Sequence, residues 1–501
     1  MVIASQIAKF YESKKVLITG GTGFMGKVLI WKLLQSCPAL DTIFVLIRPK
    51  HGESPKSRKE KLFDSPIFNN FKENNPNILQ KVVFVSGDVG EDKIGLSDVD
   101  YDMLVDQVSI IFHSAAILKM NSPLKTAINV NTVGTIRMLD MAQQMKKLEA
   151  FVYVSTAYCC CENSTVEEKI YISKHNPCDI INLIRWMDPE LLETLTPKLI
   201  YPSPNTYVYS KRLTETILSE RASEVPIIVA RPSIVAPAFE EPLAGWNDTF
   251  NGPVGFFVAA GKGIIRTTML NLDAKSELIP VDMAINSILV LPWDTSREKL
   301  LNEISVYNIS PNSQENFTWR YISNCLKNTS TRYPPVTLFW YPNFNPAANN
   351  IFVYTIKCIF LHYLPAYTID FVLLIIGQKP FLVRLHDRIR LGEKILIYFT
   401  RRQWTFVHDK LLQLEERLND TDKQLFLINT RHIKDYQNYM DDIVLATKVY
   451  TFKENLKDND KAKRTLNIMY VVDIIVQVLR YVVLWKILMF AYNLFFEVFH
   501  H

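Results

Sequence analysis

"LITGGTGFMGKVL", Leu17 to Leu29, follows a short apolar run and leads into a helical pattern, and Gly20, Gly23 and Gly26 within it give G-x-x-G-x-x-G. Glycines at that point, between a strand and a helix, allow a tight turn and a close backbone approach to a pyrophosphate, whose charge the helix N-terminus favours. The stretch therefore predicts a nucleotide-binding turn at the head of a βαβ unit, with contacts from Thr19, Gly20, Gly23, Phe24, Met25 and Gly26.

Outward from this turn the same rhythm repeats. Compact Val/Ile/Phe runs at 15–20, 42–47, 81–87, 108–115, 150–156 and 226–232 read as buried parallel strands, with helical patterns at 24–36, 123–147 and 207–222 between them. Alternating β and α elements specify an α/β fold, a Rossmann-type doubly wound parallel sheet over residues 1–300, with residues about 235–300 as its substrate region. The segment 50–80 reads as an exposed, partly helical insertion. Past residue 300 the rhythm breaks: 301–350 reads as a linker, 351–460 as a smaller, mainly helical domain, and 466–499 as a hydrophobic membrane segment.

The second strand ends "LIRPK", so Arg48 and Lys50 stand where an acid would hold a ribose 2′-hydroxyl; cations there suit a 2′-phosphate and favour NADPH. After the third strand, Asp88 and Val89 are expected near the adenine, a turn being the other reading of that site. "HSAA" ends strand four, where the small residues Ser114, Ala115 and Ala116 permit close cofactor approach and His113 is expected to be a structural hydrogen-bonder. "PNTYVYSKRLTE", Pro204 to Glu215, holds two tyrosines and a lysine. Residues four apart share a helical face and residues two apart do not, so Tyr207 pairs with Lys211 and Tyr209 points elsewhere. An ammonium beside a phenol favours the phenolate, which makes Tyr207 a candidate proton donor.

Glycine loop, "STAY" (Ser155 to Tyr158) and the Tyr207/Lys211 pair together resemble an extended short-chain dehydrogenase/reductase. The strings "TGGTGFMGKVLIWKLL", "FHSAA", "PLKTAINVNTVGT", "LEAFVYVSTAYC", "NTYVYSKRLTE", "ARPSIV", "GPVGFFVAAGKGIIRT" and "LIPVDMAINSIL" narrow this to a resemblance to the alcohol-forming fatty acyl-CoA reductases, running over 15–290 and more loosely over 355–450. The resemblance implies two hydride transfers from NADPH that take a long-chain fatty acyl-CoA through an aldehyde to a primary alcohol, as in wax and ether lipid metabolism. It implies Tyr207 as proton donor, Lys211 as the group that lowers its pKa, and Ser155 or Thr156 as the hydrogen-bond donor to the carbonyl oxygen. It also implies that Asn131, in N-x-x-G with Gly134, orders its helix, and that Arg231, Pro232 and Ser233 lie along the nicotinamide. The alternatives are a dehydrogenase of the same fold acting on another lipid, and an acyl-chain-binding protein with a dead site.

Composition sets the remaining bounds. A net charge of +5 over 501 residues does not imply nucleic acid, and seven cysteines without repeated C-x-x-C spacing fit a reducing compartment. Cys159, Cys160 and Cys161 read as packing rather than as a nucleophile or a metal site. The N-terminus lacks the apolar core of a signal peptide, and the Asn163 sequon is incidental. Residues 351–376 and 466–499 approach the roughly 20 apolar residues of a spanning helix. Lys357, Pro365 and Asp370 interrupt the first, while Asp473, Gln477 and Arg480 share one face of the second, which also fits an interfacial helix. The basic run at 457–464 suits a cytosolic side. The expectation is a membrane-bound enzyme with a cytosol-facing reductase domain; the ending "EVFHH" matches neither an endoplasmic reticulum nor a peroxisomal signal and leaves both membranes open.

Overall fold

Alternation along each strand sorts its side chains to opposite faces of one sheet. In β1 (Lys15–Thr19), Val16 and Ile18 join one buried cluster and Leu17 joins the other. The same split recurs in β2 (Thr42–Ile47), β4 (Ile110–His113), β5 (Ala150–Val154) and β6 (Ile227–Pro232), so both faces are apolar, as a covered parallel sheet requires. With β3 (Val82–Ser86) and β7 (Ser305–Ile309), these strands pair in parallel in the order β7-β6-β5-β4-β1-β2-β3. The computed structural model describes residues 4–49, 52–250, 252–298, 304–312, 317–343, 347–348 and 350–499.

All six strands read from the sequence are present. The seventh, β7, falls inside the stretch expected to be a linker. Its run "SVYNI" carries a polar residue that hides the pattern. Asn308 is fully buried and donates to the carbonyls of Val166 (2.9 Å) and Val407 (2.7 Å), so it ties the sheet edge to the C-terminal region. The 50–80 insertion is also less exposed than expected, because Ile67, Phe68 and Phe71 are buried in the main core.

Helix α1 (Phe24–Ser36) leaves the glycine turn, and helix α2 (Thr206–Glu220) carries the Tyr207/Lys211 pair. Asn205 caps α2, its side chain accepting from Val208 N–H at 2.9 Å.

The C-terminal helices are fastened to this domain by buried polar ties. Lys32 of α1 donates to the Leu425 carbonyl at 2.6 Å, and Arg417 grips the buried Asp294 through Nε (2.8 Å) and Nη2 (2.6 Å). Ile351–Ile375 and Leu456–Phe490 are long and apolar enough to cross a membrane. The interruptions expected in the first are accommodated. A π-helical turn, Ile359–Tyr363, precedes Pro365, and the Asp370 carboxylate accepts the N–H groups of Phe381, Leu382 and Val383, each at 2.9 Å.

Candidate active site

At the glycine turn the backbone is packed until nothing larger fits. Gly20 has φ +74°, and a Cβ there would stand 2.8 Å from Ser114 Oγ and 2.9 Å from Ala115 N. A Cβ on Gly26 would stand 2.3 Å from the Gly20 carbonyl oxygen. Ser114 Oγ donates to the Thr19 carbonyl (2.7 Å), and Ala115 N–H donates to Thr19 Oγ1 (3.1 Å), so "HSAA" is bound against the turn. The cradle at the start of α1, free of side chains, fits a dinucleotide pyrophosphate.

Arg48 is exposed just past β2, and its carbonyl accepts from the Arg58 guanidinium. Arg58, which sequence reading overlooked, brings a second cation to that strand end from Pro55–Phe63; the cation-rich run "RPKHGESPKSRK" was the available signal. Lys50 lies outside the described residues. Asp88 takes the turn reading, its carboxylate accepting from Gly90 N–H at 2.9 Å, and Val89 is buried. His113 is a structural hydrogen-bonder, held between Thr19 Oγ1 (2.8 Å) and Thr135 Oγ1 (3.0 Å); burial and then the nearby Lys211 push it down to about 3.

Asn131 sits in a π-helical turn, Ile128–Val133. Its side chain accepts from Ile117 N–H (2.8 Å) and donates to the Ile117 carbonyl (3.2 Å) and to Ser210 Oγ (2.9 Å). It thus pins the loop after β4 to α2 beside Lys211, which fits the ordering role the resemblance implied.

The geometry separates Ser155 from Thr156, which sequence could not. Ser155 Oγ donates to Glu215 Oε1 at 2.6 Å. That carboxylate also takes Arg231 Nε at 3.0 Å and Nη2 at 2.5 Å, in an ion pair whose side chains are 0% exposed on both partners. Thr156 takes no part in that pair: its Oγ1 accepts from Tyr158 N–H at 3.3 Å, and its hydroxyl lies on the side of Tyr207, whose ionised form it favours. Arg231, expected along the nicotinamide, is instead spent on Glu215 and on the carbonyls of Glu167 (3.2 Å) and Lys169 (2.9 Å); Pro232 ends β6 and Ser233 is buried after it. Glu215 was within reach of sequence reasoning: it lies four residues past Lys211 and eight past Tyr207, on their helical face.

Lys211 is buried, and its Nζ donates to the Val154 carbonyl at 2.7 Å and lies 4.5 Å from the centre of the Tyr153 ring. Burial holds it down to about 7, against the opposing pull of Glu215 and Cys159. Tyr207 departs from expectation: burial raises its phenol above the ordinary value, and it is Thr156 that favours the ionised form. Tyr209 faces the core, its hydroxyl 2.9 Å from His175 Nδ1.

A family model described as "Male sterility protein" matches residues 18–288, and a second of the same description matches 361–454. The chain is 35% identical over 461 residues to fatty acyl-CoA reductase 1 of Rattus norvegicus, covering 92% of this chain and 89% of that one. The chain belongs to the fatty acyl-CoA reductase family. Fatty acyl-CoA reductase 2 of Bos taurus is 33% identical over 484 residues, with 97% of this chain and 93% of that one covered. The reductase domain of a non-ribosomal peptide synthetase from Mycobacterium tuberculosis superposes with a TM-score of 0.56 at 18% identity, over 90% of this chain and 96% of that one, and shares the fold. The N-terminal domain of this family member is accordingly a nicotinamide-dinucleotide-binding domain.

The smaller domain packs over this edge of the sheet. Strand Thr405–Phe406 pairs in parallel with Thr165–Val166, and Trp404 Nε1 donates to the Cys161 carbonyl at 2.8 Å. Tyr158, next but one after Thr156, meets Phe399, Trp404 and Phe406 edge-on at 5.4, 5.3 and 5.1 Å, and Tyr207 packs on the same cluster. Sequence reading missed this cover, since nothing in "RRQWTF" says which domain its aromatics face. The three cysteines are buried, and burial pushes Cys159 up and Cys161 up to about 12, so neither presents a thiolate.

The split between neighbouring hydroxyls yields a contrast. Thr156→Val is expected to lower kcat about 100-fold, the scale of one lost oxyanion donor, with little change in unfolding midpoint. Ser155→Ala is expected to cost about 1–3 kcal/mol of stability by leaving Glu215 short of a donor, with kcat nearly unchanged in the folded fraction. Steady-state kinetics beside denaturant unfolding of both variants checks it; the reverse pattern exchanges the two roles.

Proposed function

We propose that this chain reduces long-chain fatty acyl-CoA to primary fatty alcohol and CoA, with NADPH as reductant and an aldehyde-level intermediate, at a membrane and on its cytosolic side. The observation that carries the reading is the convergence of Thr156, Tyr207 and Lys211 at the end of β5, beside the glycine cradle and beneath an aromatic cover. The cradle fits a dinucleotide, and Arg48 with Arg58 at the end of β2 supports the 2′-phosphate form. Bound NADPH supplies a hydride to the carbonyl carbon in each of the two reductions.

The chain's own residues handle what the hydride leaves behind. Negative charge grows on the carbonyl oxygen and must be held, then protonated. Thr156 donates a hydrogen bond to that oxygen, and Tyr207 delivers the proton. A phenol whose pKa is raised by burial keeps that proton until the oxygen becomes more basic than the phenol. The Lys211 ammonium supplies positive charge beside the phenolate that Tyr207 leaves. The aromatic cover excludes water, which strengthens each of these interactions. After the first reduction the C–S bond breaks and CoA departs as the thiol, carrying the hydroxyl proton; once Tyr207 is reprotonated from solvent and a second NADPH is bound, the same three groups serve the aldehyde.

Two apolar helices support membrane attachment, and the basic residues Lys457, Lys461, Lys463 and Arg464 at the start of the second support a cytosolic reductase domain, at the endoplasmic reticulum or the peroxisome. Tethering there suits a substrate and a product that both partition into bilayers.

Tyr207→Phe is expected to abolish turnover while NADPH binding persists, and Tyr209→Phe to retain turnover at a stability cost of about 1 kcal/mol for its lost bond to His175. NADPH oxidation with a long-chain acyl-CoA, beside fluorescence titration of NADPH, checks both; an unimpaired Tyr207→Phe enzyme contradicts the assignment.

The pH dependence follows from Lys211. With its pKa held down to about 7, the ammonium is present below that pH and is lost as pH rises through it. The proposal therefore predicts that kcat/KM declines above about pH 7, since that ratio reports the free enzyme. A flat profile through this range removes the ammonium from the mechanism.

A further inference from the structure

The two apolar helices do not close on one another. Between them runs a groove of about 940 Å³, walled by Phe360, Leu364 and Ile369 from one side and Leu479, Val483 and Ile487 from the other. Its charged lining residues are two arginines and one aspartate, Arg266, Arg480 and Asp473. Arg266 is 5% exposed and lies under the groove with Trp340, its guanidinium 5.2 Å from that ring. Its Nη2 donates to Asp473 Oδ1 at 2.6 Å, whereas Nε and Nη1 have no hydrogen-bond partner among the described residues. Asp473 is shared with two further donors: Trp340 Nε1 also donates to Oδ1, and Gln477 donates to Oδ2 at 2.6 Å. Arg480, two turns further along the same helix face, has no ion pair among the described residues.

A surplus guanidinium in an apolar groove, next to a buried one with two unmet donors, is costly unless an anion completes the set. The position of the cluster indicates the kind of anion. Helix Asn459–Phe499 is far longer than a bilayer core, and its first part is anchored to the protein through the buried Ala462 and Leu466. The stretch 481–499 that follows Arg480 would span about 28 Å, close to the roughly 30 Å hydrocarbon thickness. Arg480 then falls at head-group level, with Tyr341 and Tyr481 also lining the groove as interfacial aromatics do. We propose that the groove holds one anionic phospholipid, its phosphate at Arg480 and Arg266 and an acyl chain along the apolar walls. Basic pockets between membrane helices recognise lipid head groups by this chemistry. The inference rests on the membrane attachment proposed above.

The test uses the full chain reconstituted in phosphatidylcholine vesicles with or without phosphatidic acid, and native mass spectrometry of the protein released from them. Wild-type protein is expected to float with both vesicle types and to retain one phosphatidic acid per chain. Arg480→Gln should float equally and lose that retention by about tenfold or more, the scale of one charge-assisted contact. Lys486→Gln, which removes an exposed cation of the same helix away from the groove, should retain the lipid like wild type. Equal retention by Arg480→Gln, loss of retention in Lys486→Gln, or retention of oleate or inorganic phosphate in place of phosphatidic acid overturns the inference while leaving membrane attachment intact. Failure of the wild type to float with either vesicle overturns the attachment and the inference with it.

Discussion

One buried ion pair organises the edge of the sheet that carries the candidate active site. Glu215 and Arg231 meet without water, and a pair of that kind is costly to break, at about 3–5 kcal/mol when one partner is removed. Glu215 belongs to the helix that carries Tyr207 and Lys211, and Arg231 to strand β6, so the pair fixes that helix against the sheet. Ser155 spends its hydroxyl on the same carboxylate, which leaves Thr156 as the neighbour turned toward Tyr207. Arg231 then reaches the carbonyls of Glu167 and Lys169, next to the short strand that receives Thr405–Phe406. The sheet, the helix of Tyr207 and Lys211, and the segment under the aromatic cover are thus tied to a single guanidinium.

That arrangement explains the direction of the pKa shifts at the site. Outside that ion pair, burial is the largest cause and disfavours charge, raising Tyr207 and lowering Lys211 and His113. Lys211 held near neutrality, one helical turn from a phenol that holds its proton firmly, suits a reaction in which charge appears on substrate oxygen only as hydride arrives. The expectation from spacing alone, that the lysine would lower the tyrosine, assumed a wet helix surface; burial is the larger effect.

Much of the fold was legible because parallel strands buried on both faces leave unbroken apolar runs, and six of the seven were read in place. β7 escaped because Asn308 interrupts its run to serve the C-terminal region, a long-range demand that no local pattern records. At the site, helical spacing paired Tyr207 with Lys211 and set Tyr209 aside, and the fold keeps that separation, with Tyr209 turned to His175. Spacing could not divide Ser155 from Thr156, because the choice depends on a carboxylate sixty residues away. The motif places Arg231 along the nicotinamide, and the structure adds what no motif records, that its guanidinium is held by Glu215. The aromatic cover brings together residues from two domains, and contacts between domains are where local sequence is least informative.

The most direct measurement is the ratio of NADPH oxidised to fatty alcohol formed by membranes containing this protein, with long-chain acyl-CoA as substrate and products identified by gas chromatography. The account predicts about two NADPH per alcohol, one hydride for each reduction. Aldehyde accumulating at one NADPH per acyl-CoA, or no NADPH consumption while the cofactor still binds, would contradict it.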